Sequence, residues 1–254
     1  MTSAPRTVVI LPTYNEKENV SVIFERLSKT RQGFPGDLHL LFVDDGSPDG
    51  TAEEVEKLVA GNDYVHLLQR GSKQGLGTAY LDGFRFGIDS LGASVFVQMD
   101  SDLQHPPESV KPLVEALRSG EGAEVAIGSR YIPGGSFKGL KGSRRVVSWG
   151  ANWMARHILG LGVHDTTTGF KALSRRAVET LLAVKFHSSG FIFQVESLYI
   201  FKRNGLRVVE IPFVFELRER GTSKMSDKEV WEFFRSVLAM RFRNYKVSQA
   251  TGKT

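Results

Sequence analysis

The sequence predicts an α/β domain built on a mostly parallel sheet flanked by helices. Through the first half of the chain, short apolar runs rich in β-branched residues alternate with stretches whose apolar residues recur at helical spacing. This alternation is typical of parallel sheets covered by helices. The 254 residues can bury one large core, and no repeat or low-complexity tract divides them. We therefore expect residues 1–226 to form the domain, with a C-terminal amphipathic helix and tail, 227–254, as part of it.

Strands and helices alternate in the first half. The predicted strands are Thr7–Leu11, Leu38–Val43, Tyr64–Gln69, Val95–Met99 and Glu124–Gly128. The predicted helices are Asn15–Lys29, Thr51–Ala60, Gly77–Ser90 and Pro107–Arg118. Thr51 is expected to cap its helix, because a threonine hydroxyl at that position can accept a hydrogen bond from a free backbone N–H.

The second half has a less regular pattern. Its polar segments predict loops at Ile132–Arg145, Asp165–Arg175 and Leu217–Ser226. Helices are predicted over Val146–Leu159, from Arg176 onward, over Gly190–Lys202 and over Asp227–Tyr245, with a strand at Arg207–Glu216.

Charge is divided unevenly between the two halves. The chain has 33 basic and 28 acidic side chains and a formal net charge of +5. Residues 1–129 contain 11 basic and 19 acidic side chains, whereas residues 130–254 contain 22 basic and 9 acidic ones. The basic half favours anionic partners, which include nucleic acid, phosphorylated metabolites and membrane surfaces. The absence of cysteine excludes a disulfide scaffold, a thiolate zinc site and a cysteine nucleophile.

The sequence also bears on the cellular location. No run reaches the roughly 18 consecutive apolar residues of a membrane span. Met1–Arg6 leads directly into the first strand without the apolar region of a signal peptide. We expect a cytoplasmic protein that is at most peripheral to a membrane.

Two carboxylates follow the strand Val95–Met99, at Asp100 and Asp102 with Ser101 between them. Ligands of parallel α/β sheets bind at the carboxyl ends of the strands. Two carboxylates one residue apart can share a divalent cation, with phosphate oxygens and water completing its coordination. The alternative is a simple turn, since Asp and Ser commonly end strands.

A second acidic pair, Asp44–Asp45, ends the strand Leu38–Val43 and precedes a Gly-Ser-Pro-Asp-Gly segment. Its simplest interpretation is a turn followed by a helix cap. The competing interpretation is recognition of a nucleobase, because a carboxylate can accept hydrogen bonds from base N–H groups. The six histidines lack the spacing of metal ligands and are expected to be structural.

Several motifs occur in a fixed order along the chain. They are Pro12–Glu16 (PTYNE), Val43–Thr51 (VDDGSPDGT), Met99–Pro106 (MDSDLQHP), Gly128–Tyr131 (GSRY), Thr167–Ala172 (TTGFKA) and Arg218–Lys224 (RERGTSK). Together they resemble the inverting family-2 glycosyltransferases of GT-A fold, in particular those that transfer mannose to polyprenyl (dolichyl) phosphates without transmembrane helices of their own. The resemblance covers nearly the whole chain.

The resemblance implies roles for individual residues. The nucleotide site would be lined by Pro12, Tyr14, Glu16, Val43 and Asp45. The metal and the diphosphate would be held by Asp100, Ser101, Asp102 and Gln104, with Asp100, Asp102 and Gln104 at the metal. Arg218 and Lys224 would clamp the diphosphate from a loop that closes over the donor. The acceptor phosphate would be received by Arg144 and Ser148, with Arg130 near the phosphates. Asp102, Arg130 and Arg144 would be the catalytic residues.

The resemblance also implies the reaction. The donor would be GDP-mannose, the acceptor a polyprenyl phosphate and the cofactor Mg²⁺ or Mn²⁺. A lipid phosphate is anionic near neutral pH and needs little help from a general base. Arg144 would hold this nucleophile in line, and a single displacement would invert the anomeric carbon. Asp165, which precedes three threonines, would either support the acceptor site or cap a helix.

The last predicted helix combines aromatic residues with Lys and Arg, a composition suited to a membrane surface. We expect its first half to pack on the core and Met240–Lys246 to face the membrane, where an anchoring subunit is a possible partner. Three alternatives stay open, one of which is a sugar-nucleotide binder without catalytic activity. A UDP-glucose or UDP-GlcNAc donor would give the same class of reaction, and the basic half also suits nucleic acid, although the acidic strand ends argue against that partner.

Overall fold

The computed structural model describes residues 5–119, 122–138, 142–188, 190–216 and 227–247. Its strands are β1 (Arg6–Thr13), β2 (Asp37–Asp44), β3 (Val65–Gln69), β4 (Val95–Gln98), β5 (Val125–Ser129), β6 (Ser136–Phe137), β7 (Lys171–Ser174), β8 (Val208–Pro212) and β9 (Val214–Phe215). Its α-helices are α1 (Lys17–Gln32), α2 (Thr51–Gly61), α3 (Leu76–Asp89), α4 (Val110–Ser119), α5 (Gly142–Leu159), α6 (Arg175–Leu182), α7 (Ile192–Arg203) and α8 (Asp227–Phe242). A short 3₁₀ turn, Pro107–Ser109, precedes α4.

Seven of the strands form one sheet in the order β3-β2-β1-β4-β7-β5-β8. Every neighbouring pair is parallel except the two that involve β7, which runs antiparallel to both β4 and β5. β6 and β9 pair separately as a small parallel sheet. The predicted mostly parallel α/β architecture is confirmed.

A hydrophobic core lies on each face of the sheet. Strand side chains alternate between the two faces, so Ile10 and Val8 of β1 pack on one side and Val9 and Leu11 on the other. The first face is covered by α3 and α5 to α8, and the second by α1, α2 and α4. Apolar side chains are buried on both faces, which fixes the register of the strands and therefore the position of the loops at their ends.

β7 corrects the sequence prediction, which placed a polar turn over Asp165–Arg175. Its first residue, Lys171, has a long polar side chain but is fully buried, and its side-chain nitrogen donates to the side-chain oxygen of Gln194. Burial lowers the pKa of Lys171 to about 7. The lysine makes the sequence of this segment resemble a polar turn, although the segment is a central strand of the sheet.

Other boundaries also differ. α5 begins at Gly142, inside the predicted loop, and the predicted strand Arg207–Glu216 is divided into β8 and β9 at Phe213. Pro212 has no N–H to continue the ladder, which accounts for the division. Thr51 was predicted to be a cap, but Gly50 takes that position. The Thr51 hydroxyl instead donates to Asp49 and accepts from the backbone N–H of Glu16.

The C-terminal helix packs on the core over a longer part of its length than predicted, and the packing continues beyond its end to Tyr245. Phe233, Val237 and Met240 of α8 are buried, and Tyr245 after it donates from its hydroxyl to Glu196 Oε1 at 2.7 Å. The assignment of Met240 and Tyr245 to a membrane-facing segment is therefore wrong. Among the described residues, no helix has the length and apolarity needed to cross a bilayer.

Candidate active site

The carboxyl ends of β1, β2 and β4 bring three of the predicted motifs to one edge of the sheet. Pro12 is paired with Val43 and Thr13 with Asp44 across the parallel ladder. The Ser101 hydroxyl donates to the carbonyl oxygen of Pro12, which ties the loop after β4 to the end of β1. This edge holds the candidate active site.

Asp44 closes the turn that follows β2. Its carboxylate accepts from the backbone N–H groups of Gly46 and Ser47 at 3.1 and 2.9 Å and from the hydroxyls of Ser47 and Thr13 at 2.6 and 3.1 Å. Gly46 has φ +72°, a conformation that glycine adopts without strain. The turn interpretation therefore accounts for Asp44.

Asp45 has a different environment, which sequence reasoning missed. Arg70 Nη1 donates to its Oδ1 at 2.6 Å, while Oδ2 accepts from the backbone N–H groups of Gln74 and Gly75 at 3.3 and 3.2 Å. Arg70 is buried and also donates to the Thr78 hydroxyl at 2.8 Å. Asp45 thus fixes the loop between β3 and α3, which forms one wall of the site.

Tyr14 lies at the rim of the same edge. Its ring is partly exposed, and Lys73 Nζ lies 3.8 Å from the ring centroid. Glu16 accepts from the side-chain amide of Asn19 at 2.6 Å at the start of α1. The side chain of Val43 is fully buried in the core, so any contact it makes with a ligand must come from its backbone.

The loop after β4 presents Asp100 to the site. The Asp100 side chain is 33% exposed, and its Oδ1 accepts from the Tyr80 hydroxyl at 2.9 Å. The backbone N–H of Asp100 donates to His105 Nδ1 at 3.1 Å. Burial lowers the pKa of His105, whose ring stacks on Phe170 with a centroid distance of 5.1 Å. His105 therefore has the structural role expected of it, as a neutral acceptor that holds this loop.

Asp102 and Gln104 form a tight turn in that loop. The backbone N–H of Gln104 donates to Asp102 Oδ1 at 3.0 Å, and Leu103 between them has φ +63°. A positive φ at a leucine is unusual and stores backbone strain. The strained turn places both carboxylates of the motif at the same strand end.

The donor set at this strand end fits a cation that is bound together with a phosphorylated ligand. Across the described ranges, no group of three or more His, Asp or Glu side chains is arranged to hold a metal ion without further ligands. Magnesium is commonly bound through one or two carboxylates, with substrate phosphates and water supplying the other oxygens. Asp100 and Asp102 match that pattern.

Arg130 lies on the other side of the site, at the end of β5. Its Nε and Nη2 donate to Asp165 Oδ2 and Oδ1 at 2.6 and 2.7 Å, and Nη2 also donates to the Thr167 hydroxyl at 2.9 Å. Burial opposes the charge on Arg130, but Asp165 outweighs burial and raises the arginine pKa. Asp165 therefore supports Arg130 and does not cap a helix.

Hydrogen bonds connect this ion pair to α5. Tyr131 donates from its hydroxyl to Ser148 Oγ at 2.7 Å, and Asn152 Nδ2 donates to the Ser148 carbonyl and to the Thr167 hydroxyl at 2.9 and 3.3 Å. Arg144 lies one helical turn before Ser148 in α5. The side chain of Arg144, and the whole of Arg218 and Lys224, lie outside the described residues.

The two sides of the site meet around His105. Its ring centroid lies 6.0 Å from that of Phe215, and the guanidinium carbon of Arg130 lies 5.2 Å from the Phe215 centroid, so one aromatic ring links the imidazole to the Arg130–Asp165 pair. An acidic loop and a supported cation therefore lie together at the carboxyl edge of the α/β sheet, which is where such sheets bind their ligands. The chain belongs to glycosyl transferase family 2, whose family model matches residues 8–182.

The most similar relatives include three mannosyltransferases. Polyprenol monophosphomannose synthase of Mycolicibacterium smegmatis is 44% identical over 228 residues, 89% of this chain and 83% of the relative. Undecaprenyl-phosphate mannosyltransferase of Micrococcus luteus is 40% identical over 227 residues, 89% of this chain and 90% of the relative. Dolichol-phosphate mannosyltransferase of Pyrococcus furiosus is 37% identical over 234 residues, 91% of this chain and 62% of the relative.

A solved structure confirms the fold class. Glucosyl-3-phosphoglycerate synthase from Mycobacterium tuberculosis, in complex with Mn²⁺, UDP-glucose and phosphoglyceric acid, matches with a TM-score of 0.66 at 21% identity. The match covers 94% of this chain and 79% of that chain. The predicted family and its GT-A fold are both confirmed.

Proposed function

We propose that this glycosyltransferase transfers mannose from GDP-mannose to a polyprenyl phosphate, with inversion at the anomeric carbon. The observation that carries the proposal is that the Asp100–Asp102 loop, held by His105, and the Arg130–Asp165 pair both adjoin the Phe215 ring, through His105 and Arg130 respectively. When a sugar passes from a diphosphate to a phosphate, one part of the site must bind a metal cation that neutralises the leaving diphosphate. Another part must carry the positive charge that attracts the incoming phosphate. The names of the three relatives support mannose as the sugar and a polyprenyl phosphate as the acceptor.

The donor nucleotide fits the wall formed by β1, β2 and the loop after β3. The exposed face of Tyr14 offers a stacking surface for a base, and Lys73 beside it offers a donor to base oxygens. Asp45 is held rigid by Arg70 at this wall. The diphosphate would extend from here toward the Asp100–Asp102 loop.

The carboxylate loop suits Mg²⁺ or Mn²⁺. Asp100, Asp102 and Gln104 would hold the ion, and a bound divalent cation would neutralise the charge that collects on the leaving diphosphate. The Mn²⁺ in the fold neighbour supports a divalent cation for this class of fold. Arg218 and Lys224, which lie outside the described residues, would add positive charge to the diphosphate.

The acceptor phosphate would lie between Arg130 and the start of α5. One phosphate oxygen attacks the anomeric carbon while the bond from that carbon to the diphosphate breaks, and the bonding electrons leave with GDP. The nucleophile is already ionised near neutral pH, so the site needs no general base. Arg144 and Ser148, one turn apart, would hold the phosphate in line, since a guanidinium can donate two parallel bonds to it.

A membrane surface would deliver the lipid to this end of α5. Trp149 and Trp153 of α5 are 59% and 52% exposed, and Trp231 and Phe242 of α8 are 61% and 87% exposed. Ser148 lies beside these tryptophans in the sequence of α5. We infer that the exposed aromatic residues of α5 and α8, with the exposed Arg235, Arg241 and Lys246, rest in the headgroup region of a bilayer as a peripheral contact.

Replacing both Trp149 and Phe242 with serine is expected to weaken binding to vesicles of phosphatidylcholine and phosphatidylglycerol by at least about tenfold, because each buried aromatic contributes roughly 1.5–3 kcal/mol. Co-sedimentation measures the partition. Val22→Ser, at an exposed apolar residue of α1, is the control and should bind like the unmodified protein. Equal binding by all three proteins would contradict a membrane contact through α5 and α8.

The donor assignment is tested by nucleotide release. With a polyprenyl phosphate acceptor, we expect GDP release from GDP-mannose to exceed UDP release from UDP-glucose and UDP-GlcNAc. Equal or greater turnover with UDP-glucose would overturn the proposed donor while leaving the class of reaction intact.

A further inference from the structure

The ring of Tyr80 on α3 is fully buried in the core. It stacks on Phe193 with a centroid distance of 6.2 Å and an interplanar angle of 10°, and it lies 6.4 Å from the ring of Phe84. Phenylalanine would satisfy this packing. A buried hydroxyl costs free energy unless it is hydrogen-bonded, so its partner explains why tyrosine is present.

That partner is Asp100 in the acidic loop. The Tyr80 hydroxyl donates to Asp100 Oδ1 at 2.9 Å. Within the described residues, this is the one hydrogen bond accepted by the Asp100 carboxylate. A core residue therefore controls the orientation of a side chain that is one-third exposed at the site.

The other sides of the Asp100 carboxylate are bordered by His105 and Gly169. His105 Nδ1 lies 3.8 Å from Oδ2, and a Cβ added at Gly169 would lie 3.4 Å from Oδ2 and 3.5 Å from Oδ1. The glycine thus leaves space beside the carboxylate, and the Tyr80 hydroxyl determines which oxygen turns inward. Oδ1 is engaged by the core, so Oδ2 is the oxygen available for a ligand.

We propose that Tyr80 is a positioning residue that limits Asp100 to one-oxygen contact with the divalent cation and thereby favours Mg²⁺. The inference rests on the proposed function in assigning Asp100 to the metal–diphosphate site. Mg²⁺ requires near-octahedral geometry at short distances, whereas larger ions accept two-oxygen carboxylate contacts and looser geometry. Without the hydroxyl, Asp100 can rotate and offer both oxygens, which harms Mg²⁺ binding more than Mn²⁺ binding.

The test compares Tyr80→Phe with Tyr199→Phe by calorimetric titration of Mg²⁺ and Mn²⁺ in the presence of GDP, repeated with UDP. Tyr199 is also buried, and its hydroxyl accepts from Arg203 Nη1 at 3.3 Å on α7, so its variant removes an equivalent hydroxyl elsewhere in the core. We expect Tyr80→Phe to weaken Mg²⁺ binding by about tenfold, the effect of one hydrogen bond to a charged group. Mn²⁺ binding should fall by less than about threefold, because a larger ion accepts the two-oxygen contact that replaces part of the lost hydrogen bond. Tyr199→Phe should change the affinity for neither metal.

Unchanged metal binding in Tyr80→Phe would overturn the proposal, and so would an equal loss for both metals, which would indicate a general disturbance of the site. Because the readout is binding of metal and nucleotide, it does not depend on which sugar is transferred. A failure of mannose transfer with normal metal discrimination would count against the proposed function alone.

Discussion

Replacing Asp102 with asparagine is expected to lower the turnover number by about a thousandfold, comparable to the loss of a principal electrostatic contact in a transition state. Asparagine keeps the oxygen that accepts from the backbone N–H of Gln104, so the strained turn at Leu103 should persist. The variant therefore removes a negative charge with little change in shape. Steady-state kinetics with saturating metal and donor measure the effect.

Asp63→Asn is the matched control, because Asp63 is an exposed acidic residue in the turn before β3. Its turnover should equal that of the unmodified enzyme. Retention of more than about a tenth of the turnover by Asp102→Asn would show that the carboxylate contributes less than 1.4 kcal/mol, roughly one factor of ten. Such a result would contradict the metal–diphosphate role of this residue.

Arg130→Lys is expected to lower the free energy of unfolding by about 2 kcal/mol and the turnover number by about a hundredfold. Lysine keeps the charge but cannot reproduce the two parallel bonds to Asp165 together with the bond to Thr167. Asp165 is completely buried, so its carboxylate loses support that solvent cannot replace. Denaturant unfolding and steady-state kinetics measure the two effects.

A double variant separates stability from activity. Arg130→Met with Asp165→Asn removes both buried charges, and the asparagine oxygen can still accept from the backbone N–H at position 130. Stability should return toward that of the unmodified enzyme while turnover stays low, because uncharged residues tolerate burial better than a broken pair. Recovery of turnover would show that Arg130 acts only on the fold. Arg175→Lys, in an exposed pair with Glu179, is the control and should alter neither property.

The strand ends of the acidic half could be predicted from the sequence because the signals are local. β1, β2 and β4 are short apolar runs, and the polar residues directly after each run fall at the carboxyl edge by the geometry of parallel sheets. The turn formed by Asp44 is equally local, since its partners lie within three residues apart from Thr13.

The contacts that support the site could not be predicted in this way. Arg70 pairs with Asp45 across 25 residues and Arg130 with Asp165 across 35. No local pattern marks Arg70, and the motif that marks Arg130 does not identify Asp165 as its partner. β7 was missed because the buried charge of Lys171 conceals a central strand. These residues are specified by tertiary packing, in which a buried polar group must find a partner wherever the fold provides one.

The surface proposed to face a membrane shows the same limit. Composition identified α8 and the residues after it as aromatic and basic. Only the structure shows that Met240 and Tyr245 pack on the core while Trp231 and Phe242 are exposed. The exposed tryptophans of α5 were not predicted, because that helix has an ordinary amphipathic sequence. Trp149 directly follows Ser148 in the sequence, but the exposure of both tryptophans is a feature of the fold alone.

Identification of the lipid product is the most direct test of mannose transfer from GDP-mannose to a polyprenyl phosphate. The purified enzyme is incubated with a detergent-dispersed polyprenyl phosphate, GDP-mannose and Mg²⁺ or Mn²⁺, with equimolar UDP-glucose as competitor, and the lipid is analysed by mass spectrometry and by NMR of the anomeric centre. We predict a polyprenyl phosphate carrying one mannose in β-linkage, formed with release of GDP. A glucosylated lipid, or a mannosylated lipid with retained α-configuration, would contradict the account.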